Sequence, residues 1–441
     1  MSFDEKLRWF GFWTLDRLRG APVRRYYDQI RRGFYGGTSL AETEQKIHKL
    51  IRHAVQTTEF YKDYDPDSRL SDLPVVNKDT FRDQYDAFIS SVHKDAPDNR
   101  IMCTSGSTGT PLSMIQNRDK IHHNTAGGIF LGAAGGYYIG MKEAFIRVWV
   151  SNVKKSRLSL LMENMIMMDS SNMDDEGLAR MLAVIRRKRV KCLVGYSSAL
   201  EELSRYITNH GVDTSGFRVK SIIPISESMA PDFRKKLQKQ FGCPVRAWYS
   251  NEENGIMGIQ NKEDEGYQID TESYYYEILK MDSDEPAAPG ELGRIVITDL
   301  YNYAFPILRY DNGDTAVASR KVKDGKYKLY LTKLYGRRSD LIYDCGGKAL
   351  TPYIITNNMW DVRGVKQFRF IQEDLTKYTL WLNGDREQMN IEDITHRILP
   401  YLGEQAELSI EFVDEIPVLQ SGKRKYIENR CETYQNRKGS R

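Results

Sequence analysis

The sequence predicts an α/β protein. Its large N-terminal domain is built on a parallel sheet covered by helices and extended by a small antiparallel region; a small α+β domain follows. Three observations predict this. Between about 144 and 250, short apolar and β-branched runs alternate with stretches of helical apolar spacing, the signature of consecutive βαβ units. From about 267 the apolar period becomes two, as in 267–280 and 293–298, the mark of antiparallel strands. After about Gly336 a shorter mixed segment begins, with Ile391–Leu402 as its clearest helix.

Each element has a local reason. Residues 1–20 mix Trp9, Phe10, Phe12, Trp13 and Leu15 with Asp4, Glu5, Lys6, Arg8, Arg17 and Arg19. Such a run is too interrupted to span a bilayer and lacks a small-residue cleavage site, so it predicts an amphipathic helix with an aromatic face and a basic rim. Packing on its own domain and lying on a membrane surface are both open to such a helix. Residues 40–100 read as helices joined by turns, 42–57 being helical and 72–74 breaking the pattern.

Then come a strand at 144–150 and a helix opened by Asp174, Asp175 and Glu176 and closed by the basic run 186–189, as the helix dipole favours. A strand at 190–195, a helix at 198–210 stopped by Gly211, and a strand at 219–225 follow. The helix Pro231–Phe241 starts on proline and ends at Gly242, and 244–249 is expected to be a further strand of the same sheet. Ligands of such sheets collect beyond the C-terminal strand ends. Here those ends carry Tyr196, Ser197 and Ser198, then Ser226, Glu227 and Ser228, then Tyr249, Ser250, Asn251, Glu252 and Glu253. Helix N-capping accounts for the serines, but not for Tyr249 and the paired glutamates.

Composition narrows the function classes. The chain has 64 Lys+Arg against 60 Asp+Glu, a net +4 over 441 residues, so a general polyanion binder is not expected. Hydrophobic residues at 40% suffice for packed cores. Five cysteines, at 103, 192, 243, 345 and 431, have no CxxC spacing; this argues against a zinc knuckle and for a reducing, cytoplasmic setting. The basic C-terminal tail lacks interleaved stacking residues and reads as a solvated terminus, so no nucleic-acid partner is expected.

The most informative segment is Thr104-Ser105-Gly106-Ser107-Thr108-Gly109-Thr110-Pro111. Its glycines permit close backbone approach, and its hydroxyls and amides supply donors for phosphate oxygens. It is not a Walker A loop, because the Gly-Lys-Ser/Thr ending is absent.

That segment resembles the phosphate loop of the adenylate-forming, acyl-CoA synthetase-like superfamily. Further matches follow in the family's order. Tyr249-Ser250-Asn251-Glu252-Glu253-Asn254-Gly255 resembles its aromatic–glutamate motif, and Arg309-Tyr310-Asp311-Asn312-Gly313-Asp314 its Tyr-x-Thr-Gly-Asp motif. Gly336-Arg337-Arg338-Ser339-Asp340 resembles the hinge motif, and Ser421-Gly422-Lys423 the catalytic-lysine loop. Within the superfamily the chain is most similar to the phenylacetate–coenzyme A ligase branch, particularly its CapK-type members linked to capsular polysaccharide synthesis. His53-Ala54-Val55, Phe60-Tyr61, Leu73-Pro74-Val75-Val76-Asn77-Lys78, Gly195-Tyr196-Ser197-Ser198 and Pro306-Ile307-Leu308-Arg309-Tyr310-Asp311 carry that similarity.

The resemblance implies ATP-dependent activation of a small carboxylic acid as an acyl-adenylate, with pyrophosphate released, then acyl transfer to an acceptor. It implies an N-terminal helical segment at 1–40, an adenylation domain at 41–336 and a mobile lid at 337–441. Thr104, Ser105, Gly106, Ser107, Thr108 and Gly109 would hold the β- and γ-phosphates. Glu253, with Thr108, would place Mg²⁺; Tyr249 would stack on adenine, with Ser226 and Glu227 in the nucleotide site. Asp314 would accept from the ribose hydroxyls, Arg337 would contact the ribose and phosphate side, and Lys423 would bridge carboxylate and α-phosphate. Tyr196 and Trp149 are expected to line the acid pocket. Coenzyme A, an amine and a hydroxyl all stay open as acceptors, and the N-terminal helix is the expected point of any contact with the inner membrane surface.

There are departures. Thr110 stands where the family often has lysine, Ser250 replaces its glycine, and Glu252 puts a second carboxylate beside Glu253. The alternative to an enzyme is a catalytically weak nucleotide-binding regulatory protein that keeps the fold. His122 and His123 read as a helix-surface pair.

Overall fold

The computed structural model describes residues 1–103, 112–149, 155–171, 173–227, 229, 231–262, 264–338, 341–350, 353–359, 362–417 and 425–431. The phosphate-loop residues Thr104, Ser105, Gly106, Ser107, Thr108 and Gly109 lie outside these, as does Lys423. Two compact units emerge: 1–229 with 235–312 and 316–334, and 335–441 with the short pieces 230–234 and 313–315.

The first unit opens with three helices, α1 (Phe3–Leu18), α2 (Pro22–Gly36) and α3 (Leu40–Thr57), the short β1 (Thr38–Ser39) preceding the last. Ser39 caps α3 by accepting from the Glu42 amide, and proline stands at the first turn of α2, as helix starts favour. After α4 (Lys78–Asp83) come the hairpin β2 (Arg100–Cys103) and β3 (Ser113–Gln116), then α5 (Arg118–Ala134). The apolar face of α2 (Val23, Tyr26, Ile30, Phe34) packs on Ala126, Phe130 and Leu131 of α5, so α5 is a buried helix. That corrects the surface reading of its histidine pair. His123 is buried and stacks on Tyr301 at 3.7 Å, and burial holds its imidazole well below the usual range.

Next comes the parallel sheet. In order of sequence its elements are β4 (Glu143–Arg147), α6 (Arg157–Glu163), β5 (Met165–Asp169), α7 (Asp175–Arg187), β6 (Cys192–Tyr196), α8 (Ser197–Asn209) and β7 (Ser221–Ile225). The strands lie in the order β5-β4-β6-β7, every pairing parallel. All residues of β6 and β7 are buried, as strands covered on both faces must be. Leu178, Leu182 and Ile185 of α7 and Leu200, Leu203 and Ile207 of α8 join the apolar core. Asp174 caps α7 through the Gly177 amide, and Arg186 and Arg187 close it. At Gly195 an added Cβ would stand 2.9 Å from both Ile146 Cβ and its carbonyl oxygen, so only glycine lets β6 lie this close to β4.

One expected strand goes elsewhere. Helix α9 (Pro231–Phe241) forms as read, but 244–249 does not complete the parallel sheet. It makes a single parallel bridge, Val245 to Ile222, and then becomes β8 (Trp248–Asn251) of a different sheet. That sheet also holds β9 (Gly255–Gln260), β10 (Tyr267–Ile269), β11 (Tyr274–Leu279), β12 (Leu292–Asp299), β13 (Tyr310–Lys323) and β14 (Lys326–Arg337). Its order is β11-β12-β13-β14-β10-β9-β8, with β1 added on β14. The antiparallel region is thus larger than the period-two stretches marked out. The missing parallel strand is β5, whose Met-rich run carries no β-branched signal beyond Ile166.

A separate core joins α3 (Ile47, Leu50, Ile51, Ala54) to Tyr61, Val76, Phe81, Phe88 and the later Phe305, Ile307, Leu308 and Tyr310. Here Val76 bridges Tyr310 in parallel, its amide donating to Arg309 O at 3.0 Å and its carbonyl accepting from Asp311 N at 2.8 Å.

The second unit carries β15 (Ile342–Tyr343), β16 (Ala349–Leu350), α10 (Tyr353–Met359), β17 (Val365–Gln372), β18 (Lys377–Gly384), α11 (Ile391–Leu402), β19 (Glu407–Phe412) and β20 (Ile427–Asn429). Its four-stranded sheet runs β19-β18-β17-β20, an antiparallel central pair flanked by parallel edges. Ile394, Ile398 and Leu402 of α11 pack on Phe368, Phe370, Leu380 and Leu382. No helix among the described residues is long and apolar enough to cross a membrane.

Candidate functional site

The site is built where two sheet types meet in the first unit. The pairing of 76 with 310 brings the start of α4 beside β13, and both face the turn after β8. As a result Glu253, only 5% exposed, has its Oε1 approached by Lys78 Nζ at 3.1 Å and by the Tyr310 hydroxyl at 3.3 Å. A carboxylate this buried needs such partners. Glu252, by contrast, is exposed.

The turn carrying Glu253 is held from below. Asn254 N donates to Asn251 Oδ1 at 2.7 Å, and Lys120 Nζ donates to Asn254 O at 2.8 Å. Lys120 also pairs with Asp299 at 2.5 Å, the two side chains 1% and 0% exposed. Burial pulls the Lys120 amine down, and Asp299 opposes that pull. Gly255 follows at φ +104, where a Cβ would meet Asn124 Oδ1 at 3.0 Å; the turn requires glycine.

Tyr249 is buried in the sheet core, edge-on to Tyr267, and its hydroxyl accepts from Asn312 Nδ2 at 2.8 Å. The flanks of the Tyr310 motif are structural. Arg309 pairs with Glu277 at 3.1 Å and donates to Leu73 O, while Asp311 pairs with Arg294 at 2.9 Å.

The parallel strand ends are cross-stitched. Ser197 Oγ donates to Glu227 O at 2.7 Å, and Ser198 N donates to Glu227 Oε2 at 3.0 Å. Helix α8 is therefore capped by Glu227, a residue of the next strand end, and not by its own serines. Ser226 sits at φ +68, a left-handed backbone that costs a non-glycine residue roughly 1–3 kcal/mol and tends to occur at functional sites. Trp149 and Tyr196 stand at the ends of adjacent strands and share a neighbour. The Arg147 guanidinium lies 5.7 Å from the Trp149 ring and 5.9 Å from the Tyr196 ring. Trp149 Nε1 is fixed by donating to Met168 O at 3.0 Å.

In the second unit, Arg337 Nε lies 3.4 Å from Asp314 Oδ1, the arginine half exposed and the aspartate mostly covered. Thr315 Oγ1 donates to Gly336 O at 3.2 Å alongside. Sequence reasoning had singled out Glu253, Tyr249, Ser226, Glu227, Tyr196, Trp149, Asp314 and Arg337. It missed Lys78, Lys120 and Arg147 as partners. Lys78 ends the segment Leu73-Pro74-Val75-Val76-Asn77-Lys78, but nothing in the sequence ties it to Glu253.

The chain is similar to known proteins in sequence and in fold. Residues 342–430 match the family model of the CapK C-terminal domain. Protein CapK of Staphylococcus aureus is 23% identical over 430 residues, covering 92% of this chain and 93% of that protein. The phenylacetate–coenzyme A ligase of Thermus thermophilus is 23% identical over 336 residues, covering 68% of this chain and 70% of that one. Among solved structures, 2-hydroxyisobutyryl-CoA ligase in its postadenylation state with R3-HIB-AMP superposes with a TM-score of 0.71, at 15% identity over 92% of this chain and 94% of that one. The same ligase with 2-HIB-AMP and CoA in the thioesterification state gives 0.57, at 16% identity over 91% and 92%. The chain is thus similar to CapK and to the phenylacetate–coenzyme A ligases, matches the CapK C-terminal domain over 342–430, and has the fold of 2-hydroxyisobutyryl-CoA ligase.

Proposed function

We propose that the chain is an adenylate-forming ligase that activates a small carboxylic acid with ATP and passes the acyl group to an acceptor. The observation that carries this is the buried Glu253, gripped by Lys78 and Tyr310 beyond the strand ends. A relative named phenylacetate–coenzyme A ligase, and a solved ligase bound to an acyl-adenylate and to CoA, support the same reaction class.

The two halves of the reaction ask mainly for positioning and charge stabilisation. Thr104, Ser105, Gly106, Ser107, Thr108 and Gly109 would hold the phosphates, and Lys423 would neutralise charge as the carboxylate meets the α-phosphorus. Tyr249, its phenol fixed by Asn312, would lie against adenine, with Ser226 and Glu227 on the neighbouring ledge. Asp314 would accept the ribose hydroxyls, with Arg337 beside it. Glu253 fits a magnesium ion: it offers hard oxygen at a place that already accommodates an ammonium group. Mg²⁺ bound there would offset phosphate charge. Trp149 and Tyr196, with Arg147 between them, would receive the acid.

On this reading 1–40 is an amphipathic N-terminal helical segment, 41–336 holds ATP and acid, and 337–441 is the lid. Coenzyme A is the acceptor bound by the solved ligase and is the one favoured here; an amine or hydroxyl in polysaccharide synthesis is the other acceptor this reading allows. ATP–pyrophosphate exchange across a panel of acids, with Lys423→Ala as control, tests the proposal. Exchange with at least one acid, lost in the variant while ATP still binds, is expected. Nucleotide binding with no exchange for any acid would leave the regulatory alternative in its place. Mass spectrometry of the acyl-adenylate trapped without acceptor would identify the acid.

A further inference from the structure

Helix α1 is fixed by one face and apolar on the other. Its anchors are Glu5 and Asp16, eleven residues apart and so three turns along a single face. Glu5 accepts from Lys191 Nζ at 2.8 Å, from the Tyr138 hydroxyl at 3.0 Å and from Ser2 N at 2.7 Å. Asp16 accepts from Val23 N at 3.0 Å and Arg24 N at 2.9 Å, tying α1 to the start of α2. Phe12 and Trp13 pack inward against the α2–α5 core. The rotation of the helix is therefore set, and its opposite face has to meet solvent.

That face bears Phe3, Leu7, Phe10 and Leu18, spaced as one helical stripe and exposed by 84, 63, 64 and 78%. Beside it lies a second element that sequence reading did not connect. Arg8 Nε donates to Leu161 O of α6 at 3.1 Å, and α6 exposes Leu158, Leu161 and Met162. Apolar side chains from two distant parts of the chain are thus exposed on neighbouring helices. Single exposed hydrophobes need no explanation, but a stripe with a neighbour does.

The charge around it says what covers it. Residues 1–36 hold eight Lys or Arg against four Asp or Glu, an excess equal to the +4 of the whole chain. All four acids are occupied: Glu5 and Asp16 are the buried anchors, Asp4 pairs with Arg8, and Asp28 pairs with Arg24. Lys6, Arg17, Arg19, Arg31 and Arg32 are exposed and make no ion pair among the described residues. A second copy of the chain would bring like charge to this rim, whereas an anionic bilayer brings the complement.

We infer that α1, with α6 beside it, is a docking surface for a membrane of anionic phospholipid, the stripe entering the headgroup boundary and the arginines remaining at the phosphates. The inference stands apart from the ligase reading.

The test is sedimentation of the full chain with vesicles of phosphatidylcholine alone and with about 30% phosphatidylglycerol. Binding is expected to the anionic vesicles, to weaken in about 0.5 M salt, and to fall by about 100-fold in the variant Phe3→Gln, Leu7→Gln, Phe10→Gln. Those side chains are exposed, so the variant should keep its far-ultraviolet spectrum and urea midpoint. A second variant, Lys6→Gln, Arg17→Gln, Arg19→Gln, should lose the preference for anionic lipid. No binding to either vesicle, or undiminished binding by the first variant, overturns the inference. A dimer that forms without lipid and dissociates in the first variant also overturns it, in favour of a second copy.

Discussion

Lys78 and Glu253 share an ion pair of 3.1 Å although they belong to segments far apart in the chain. The backbone bridge between Val76 and Tyr310 makes this possible, since it aligns the start of α4 with the turn after β8. In the proposed reaction the lysine and a divalent cation share one carboxylate, so they compete. Lys78→Met is expected to lower the Mg²⁺ concentration that half-saturates pyrophosphate exchange by about 5-fold, the size of one screened charge contact. Glu253→Gln should cut exchange by about 100-fold or more. A Mg²⁺ titration of both variants checks this; an unchanged midpoint for Lys78→Met would refute the competition.

Arg147 lies between the rings of Trp149 and Tyr196 at the ends of β4 and β6. If these line the acid pocket, Arg147→Met should raise the KM for the acid about 10-fold or more. The KM for ATP should stay within about 2-fold. Steady-state kinetics with each substrate varied in turn decide it. A change confined to ATP would remove Arg147 from the acid pocket.

Lys120 and Asp299 form a dry ion pair beneath the Glu253 turn. Removing one member strands the other, so Lys120→Met is expected to cost about 3–5 kcal/mol of stability. The double variant Lys120→Met, Asp299→Leu should regain much of that loss. Urea unfolding of the single and double variants measures it.

Burial pushes the Glu143 carboxyl from 4.5 to about 8, Lys155 only partly offsetting the effect. The folded protein therefore holds a proton that the unfolded chain releases near pH 4.5, and Glu143 should make stability fall as pH rises from about 4.5 to 8. Glu143→Gln removes that dependence. The variant should match the parent near pH 4.5 and exceed it at pH 8 in urea midpoint. A gap that is constant across the range would mean Glu143 does not titrate there.

Local pattern made much of the fold legible. Helix α9 and helix α11 have the bounds their proline, glycine and apolar spacing predict, because caps and periodicity are short-range properties. The fate of 244–249 was not legible. Its valine and paired aromatics, Val245, Trp248 and Tyr249, suit either sheet, and only the pairing of β8 with β9 decides which it joins. The same limit applies to the candidate site. Glu253 stood in a motif, but Lys120 lies in a glycine-rich helix with no motif of its own, and its partner Asp299 is at the far end of a strand. His123 misled for a similar reason. A histidine beside another histidine looks exposed until α2 is packed over the helix.

Glu227 performs two duties with one residue. Its carboxylate caps α8 through Ser198, and its carbonyl takes the Ser197 hydroxyl. A ligand that takes Glu227 Oε2 must uncap a helix, and a ligand that leaves that oxygen in place inherits a ledge already braced. The two cases differ in size on a calorimeter: the first loses part of its contact energy to uncapping, binds more weakly and so raises the melting temperature less than the second at the same concentration. Heat, not activity, would then tell how the ledge is used.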